Sequence, residues 1–150
     1  MKKLQIDFGI EEFEIGNGKV LRFNPSDINV YNRLMEAQEK ILAIEERLVK
    51  KAGELPQEGA GEQIIKLLAE ADAEMKAVLQ EIFGGSNDFE SLFEGVNLMT
   101  PASNGERVIT NFLVAITPII EEGSKKAARD LAKANADSIK GNREQRRARK

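Results

Sequence analysis

The side chains best suited to binding chemistry lie at the end of the chain, which is GNREQRRARK. This segment holds five cations and one acid, whereas the whole chain has a net charge of −3, so residues 1–140 carry −7. The cations are Arg143, Arg146, Arg147, Arg149 and Lys150. Four interpretations stay open: a salt-sensitive phosphate contact, a nuclear address, a tether for an acidic partner surface or a second copy, or a solubilising end.

Catalytic chemistry has few candidates in the rest of the chain. The sequence contains no Cys and no His, which removes the thiolate nucleophile, the commonest metal ligand and the usual general base. The helical acids, such as Glu70, Asp72 and Glu74, flank an apolar stripe and are expected on a solvated face. The glycines match neither phosphate-binding motif. We therefore expect a non-enzyme with no catalytic, cofactor-binding or metal-binding residues.

The fold that positions these groups is predicted to be α+β. It is mainly α-helical, with a small antiparallel β-hairpin at the N-terminus. A chain of 150 residues favours one domain. We expect a globular part at residues 1–123 and an exposed helix with a basic flexible tail at 124–150. The N-terminus lacks the unbroken apolar run of a signal peptide, and the longest such run, FLVAI, is too short to span a membrane.

A β-hairpin is predicted at residues 3–23. LQIDF at 4–8 alternates apolar and polar residues, as do the segments on either side of GNG. A three-residue loop, Gly16 to Gly18, would pair Phe13 with Leu21 and keep the apolar side chains on one face.

Helices are predicted at about 27–51, 60–83, 88–94 and 104–122. The first two carry apolar seams spaced by alternating fours and threes, which favours an antiparallel helical hairpin whose seams pack in the core. The members are Val30, Leu34, Ala37, Ile41, Ile44 and Leu48 in the first seam, and Ile64, Leu68, Ala71, Met75, Val78 and Ile82 in the second.

Two later segments give more specific expectations. Phe89, Leu92 and Phe93 form either a plug over the core, which the pattern favours, or a docking patch for a partner. The helix at 104–122 is apolar over so much of its circumference that we expect it to be buried on two sides. Pro118 inside it predicts a kink or a stop, and Gly123 offers a second break.

The whole layout resembles a known family. The N-terminal hairpin, the segment FNPSDINVYNRLMEAQEKI, the run SNGERVITNFLVAITPII and the ending NREQRRARK are similar to the small tail assembly chaperones of phages or prophages that infect Gram-positive bacteria.

The resemblance implies a viral protein that acts in the host bacterial cytoplasm and is absent from the mature virion. Such chaperones form oligomers, coat the tape measure protein and recruit tail tube protein. The partner-binding candidates are then Phe89, Leu92 and Phe93, together with the five cations at the end of the chain, Arg143, Arg146, Arg147, Arg149 and Lys150. Two alternatives remain: a structural virion component, such as a tail completion or connector subunit, and a nucleic-acid-binding factor, which the acidic body disfavours.

Overall fold

The computed structural model describes residues 1–148. It is 63% helical with one two-stranded antiparallel sheet, which confirms the predicted α+β class. The strands are β1 (Glu11–Glu14) and β2 (Val20–Phe23), followed by helices α1 (Ile28–Gly53), α2 (Gly61–Phe83), α3 (Phe89–Leu92) and α4 (Val108–Ala148).

The hairpin adopts the predicted register. Phe13 lies opposite Leu21, and Ile15 donates its N–H to the carbonyl of Lys19 at 3.0 Å. Gly18 has the positive φ that was expected at the end of the three-residue loop, and Gly16 has a positive φ as well. The predicted strand at residues 4–8 is wrong, because the structure has no strand before Glu11 and the segment lies exposed. The apolar residues of this segment do alternate, but the segment pairs with neither β1 nor β2.

The helical hairpin forms as predicted. Asp27 begins α1 by accepting the N–H of Asn29 at 2.9 Å. The first seam is buried except for its half-buried last member, Leu48, and the second seam is buried from Ala71 onward. The core therefore sits between α1 and α2, with β2, α3 and α4 closing it.

Helix α4 differs from its prediction at both ends. It begins at Val108 and continues through Pro118 and Gly123 to Ala148, so the predicted stop and the separate helix after 123 are wrong. Pro118 removes the hydrogen bond to the carbonyl of Val114, yet both residues are exposed, and water can satisfy that carbonyl. Gly123 is required by packing, because a Cβ there would overlap the carbonyl of Pro25.

Candidate functional site

An apolar cleft of about 540 Å³ lies between the β-hairpin, α3 and the first half of α4. Its volume lies in the range of about 300–1,000 Å³ that is typical of binding pockets. Residues from all three elements line it: Phe13, Glu14, Ile15, Asn17, Leu21, Leu92, Phe93, Glu94, Val96, Val108, Asn111, Phe112, Ala115, Ile116 and Ile119.

The broad apolar surface of α4 explains why the cleft exists. One stripe packs inward, with Ile109, Ile116 and Ile120 buried. The second stripe is half-buried at Phe112 and exposed at Ile119, and it forms a wall of the cleft instead of entering the core. The expectation that this helix is buried on two sides is therefore wrong, because the hairpin covers only part of the second stripe.

Aromatic rings form the floor beneath the cleft. The ring of Phe112 lies 5.4 Å from that of Phe93 and 6.0 Å from that of Phe83. The network reaches the hairpin through Phe23, whose ring lies 5.0 Å from that of Phe83. Within residues 1–148, six of the seven phenylalanines of the chain belong to this network, and Phe8 does not.

The predicted patch of Phe89, Leu92 and Phe93 is divided by this arrangement. Phe89 and Leu92 are 3% and 6% exposed and lie in the core, which agrees with a plug. Phe93 is half-buried and, with Leu92, borders the cleft. A partner bound in the cleft would thus contact Phe93 directly, whereas Phe89 supports it from below. Whether any of the three binds a partner stays a prediction.

The two edges of the β-sheet differ. Asn87, 7% exposed, covers the outer edge of β2 by accepting the N–H of Arg22 at 2.9 Å and donating to its carbonyl at 2.8 Å. Hydrogen-bonded and non-hydrogen-bonded pairs alternate along an antiparallel ladder. Residues 15 and 19 form a hydrogen-bonded pair, so Glu12 and Glu14 lie in non-hydrogen-bonded pairs and their backbone N–H and C=O groups point away from β2. Among residues 1–148, no hydrogen bond on that outer edge is formed by Glu12 or Glu14, so β1 has an open edge beside the cleft.

Residues 1–10 leave a second apolar surface uncovered. Leu4, Ile6, Phe8 and Ile10 recur at every second position and are 87%, 61%, 70% and 46% exposed. The segment is anchored near its end, because Asn24 donates its side-chain N–H to the carbonyl of Phe8 at 2.9 Å.

The basic arm, defined as the part of α4 from Ser124 to Ala148, projects as an exposed helix. Almost every described side chain from Lys125 to Ala148 is exposed, including Leu131 at 73% and Ile139 at 49%. Arg143, Arg146 and Arg147 lie on its last turns and are exposed. The other two predicted cations, Arg149 and Lys150, lie outside the described residues.

The one buried cation of the described core serves the fold. Lys76 is 7% exposed, and its Nζ lies 2.9 Å from Asp72 Oδ2 and 3.0 Å from Glu90 Oε2. Burial lowers the pKa of Lys76, but the hydrogen bonds to the two carboxylates outweigh it and leave the pKa above its ordinary value. Asp72 also accepts the N–H of Leu98 at 2.8 Å, so its predicted place on a solvated face is wrong. These contacts join α2 to α3 and to the loop before α4.

Metal binding and membrane insertion are two further properties to consider for the described part of the chain. Residues 1–148 contain no group of three or more carboxylates placed to hold a metal ion. None of the helices within that range has the length and hydropathy needed to cross a bilayer. Comparison with models of protein families, with curated proteins and with solved structures found no match.

Sequence patterns indicated some of these surfaces and missed others. The double stripe of α4 and the alternation at residues 4–8 were visible, although the first was expected to be buried on two sides and the second to form a strand of the hairpin. The cover that Asn87 provides for β2 could not be foreseen, since Asn87 lies 65 residues from Arg22 and looks like a helix cap.

Proposed function

We propose that this protein is a non-enzymatic assembly chaperone for phage tails, which associates with copies of itself and binds the tape measure protein and tail tube subunits. The observation that carries this proposal is the amount of apolar surface that the fold leaves uncovered. The cleft, residues 4–10 and the basic arm each expose apolar side chains, and exposed apolar patches on a folded domain are typical of protein-binding sites.

The basic arm is the surface best shaped for a long helical client. Residues 124–148 extend about 37 Å, given a rise of about 1.5 Å per residue. Leu131 and Ile139 project in similar directions around the helix axis and share one broad apolar stripe. The apolar face of a client helix can pack against this stripe. The three exposed arginines near its end attract acidic side chains of the client and set its orientation. The chemistry of the proposal is binding, through exposed apolar side chains and cations.

Coexpression with the tape measure protein of the same phage tests this function. We expect the client to move from the insoluble to the soluble fraction and to copurify with the chaperone. A variant with Leu131→Asp and Ile139→Asp should lose most of this effect, whereas a variant with Leu42→Asp and Val49→Asp, at two exposed apolar positions of α1 outside the arm, should retain it. A client that remains equally insoluble with and without the wild-type chain would refute the proposal.

The virion distinguishes the chaperone from a structural tail component. Mass spectrometry of purified particles should detect tail tube and tape measure proteins but not this chain. Its presence in mature particles at a fixed stoichiometry would favour a tail completion or connector subunit instead.

A further inference from the structure

The cleft is bounded on one side by an open strand edge. The backbone groups of Glu12 and Glu14 face outward from β1, and the strand borders an apolar groove at Phe13 and Glu14. Phe93, Phe112 and Ile119 line the same groove. An edge next to such a groove suits an added strand, whose backbone extends the sheet and whose alternate side chains enter the groove. A helix could fill the groove but would leave the edge unpaired.

Residues 4–10 of this chain have the properties of such a strand. Leu4, Ile6, Phe8 and Ile10 occupy alternate positions, so an extended strand would place them on one face, and all four are exposed to solvent in the monomer. Gly9 has a φ of 68° in the monomer, so pairing over the whole segment requires this turn to straighten. Within residues 1–148, Phe8 is not part of the aromatic network. The network reaches the open cleft at Phe93 and Phe112. The added strand would bring an aromatic side chain to that end of the network.

Charge also favours this pairing. Glu11, Glu12 and Glu14 make β1 acidic, which disfavours two β1 edges pairing with each other. The donor segment is preceded by Lys2 and Lys3, which are exposed and complement that acidic edge.

We propose that residues 4–10 of a second copy of this chain pair with the open edge of β1 and place their apolar face in the cleft. The donor comes from another copy because the segment within its own chain is directed elsewhere. The carbonyl of Phe8 is held by Asn24, which follows β2, and Phe8 and Ile10 border a separate cleft with Arg22 and Phe23. The segment of the same chain thus lies on the β2 side of the hairpin, away from the β1 edge.

This inference deepens the self-association in the proposed function. Its test uses the purified full-length chain without any client, so it can fail while client binding stands, and client binding can fail while it stands.

The absence of cysteine from the sequence makes disulfide mapping direct. Gln5 and Glu14 both lie on the polar faces of their segments, opposite the apolar side chains, so an added strand would place their side chains on one face of the extended sheet. We expect chains carrying Gln5→Cys to form disulfides with mass-tagged chains carrying Glu12→Cys or Glu14→Cys. Chains carrying Glu46→Cys, on the exposed surface of α1, serve as the control acceptor and should cross-link at least tenfold more slowly. Equal rates at all three acceptor positions would overturn the proposal.

Light scattering across a concentration series provides the second readout. Ile6→Asn on the donor and Ile119→Asp on the cleft wall should abolish association at concentrations where the wild type associates. Their matched controls, the uncharged Gln5→Asn on the polar face of the donor and Val114→Asp on α4 outside the cleft, should associate like the wild type. Circular dichroism checks that each variant keeps its helical content. A wild-type chain that stays monomeric throughout, or controls that dissociate as fully as the two test variants, would contradict strand exchange.

Discussion

Asn87 offers the sharpest test of how the hairpin is held. Its buried side chain replaces a neighbouring strand for β2, through the two hydrogen bonds with the backbone of Arg22. It also donates to the carbonyl of Gly84 at 3.2 Å, which ties the hairpin to the end of α2. Asn87→Ala leaves these backbone groups without their partner.

The expected cost follows from those contacts. An unsatisfied buried group costs about 1–3 kcal/mol. The site of Arg22 is only partly buried, so the lower end applies to each of its two groups, and the free energy of unfolding should fall by about 2–3 kcal/mol. For a domain of this size, that loss lowers the melting temperature by about 4–12 °C.

Urea denaturation followed by circular dichroism measures this change. Asn87→Asp keeps the acceptor for the N–H of Arg22 but places a carboxylate oxygen against its carbonyl, so it should not restore stability. Asn135→Ala, at an exposed position of the basic arm, is the control and should change stability by less than about 0.5 kcal/mol. If Asn87→Ala unfolds at the wild-type midpoint, Asn87 does not hold the edge of β2.

Three further predictions concern α4, Lys76 and the arm. Gly123→Ala should lower the free energy of unfolding by about 1–3 kcal/mol, because its Cβ would overlap the carbonyl of Pro25. Gly141→Ala, where the Cβ meets open space, should instead stabilise the helix by about 0.5–1 kcal/mol. Equal melting temperatures for the two variants would refute this packing. Lys76→Met should destabilise the fold below about pH 10, because the raised pKa of Lys76 contributes stability as long as its amine is protonated. The difference in the free energy of unfolding between variant and wild type should shrink as the pH rises through that pKa. Denaturation at several pH values checks this, and a difference that grows above pH 10.5, the ordinary pKa of lysine, would contradict it. Arg143→Glu with Arg147→Glu should weaken client binding, and wild-type affinity should fall as salt rises; salt-independent calorimetric affinities would show that the arm does not act through charge.

The fold could be predicted well where local rules and burial agree. The register of the hairpin followed from Phe13 and Leu21 sharing a face and from the glycine loop between them, and the seams of α1 and α2 followed from their spacing. In each case the pattern that marks the apolar residues also marks the surface that becomes buried.

The surfaces of the candidate site were harder to predict, because local patterns do not reveal which apolar residues a monomer covers. Leu4, Ile6 and Phe8 alternate like a strand, yet they have no partner strand within the described chain. The second stripe of α4 looks like core, yet Ile119 faces a cleft. Pro118 looks like a helix terminus, yet α4 continues through it. The first two of these mismatches, at residues 4–8 and at Ile119, coincide with the surfaces that we assign to partners.

The most direct measurement of the central claim, that this chain works by binding other polypeptides, is hydrogen–deuterium exchange of the purified protein with and without the tape measure protein. Exposed helix ends exchange rapidly, so covering the arm should slow exchange throughout residues 124–148. The account predicts protection of these amides when the client is added, with the core of α1 and α2 unchanged. Identical exchange with and without the client, at concentrations where both proteins are soluble, would contradict it.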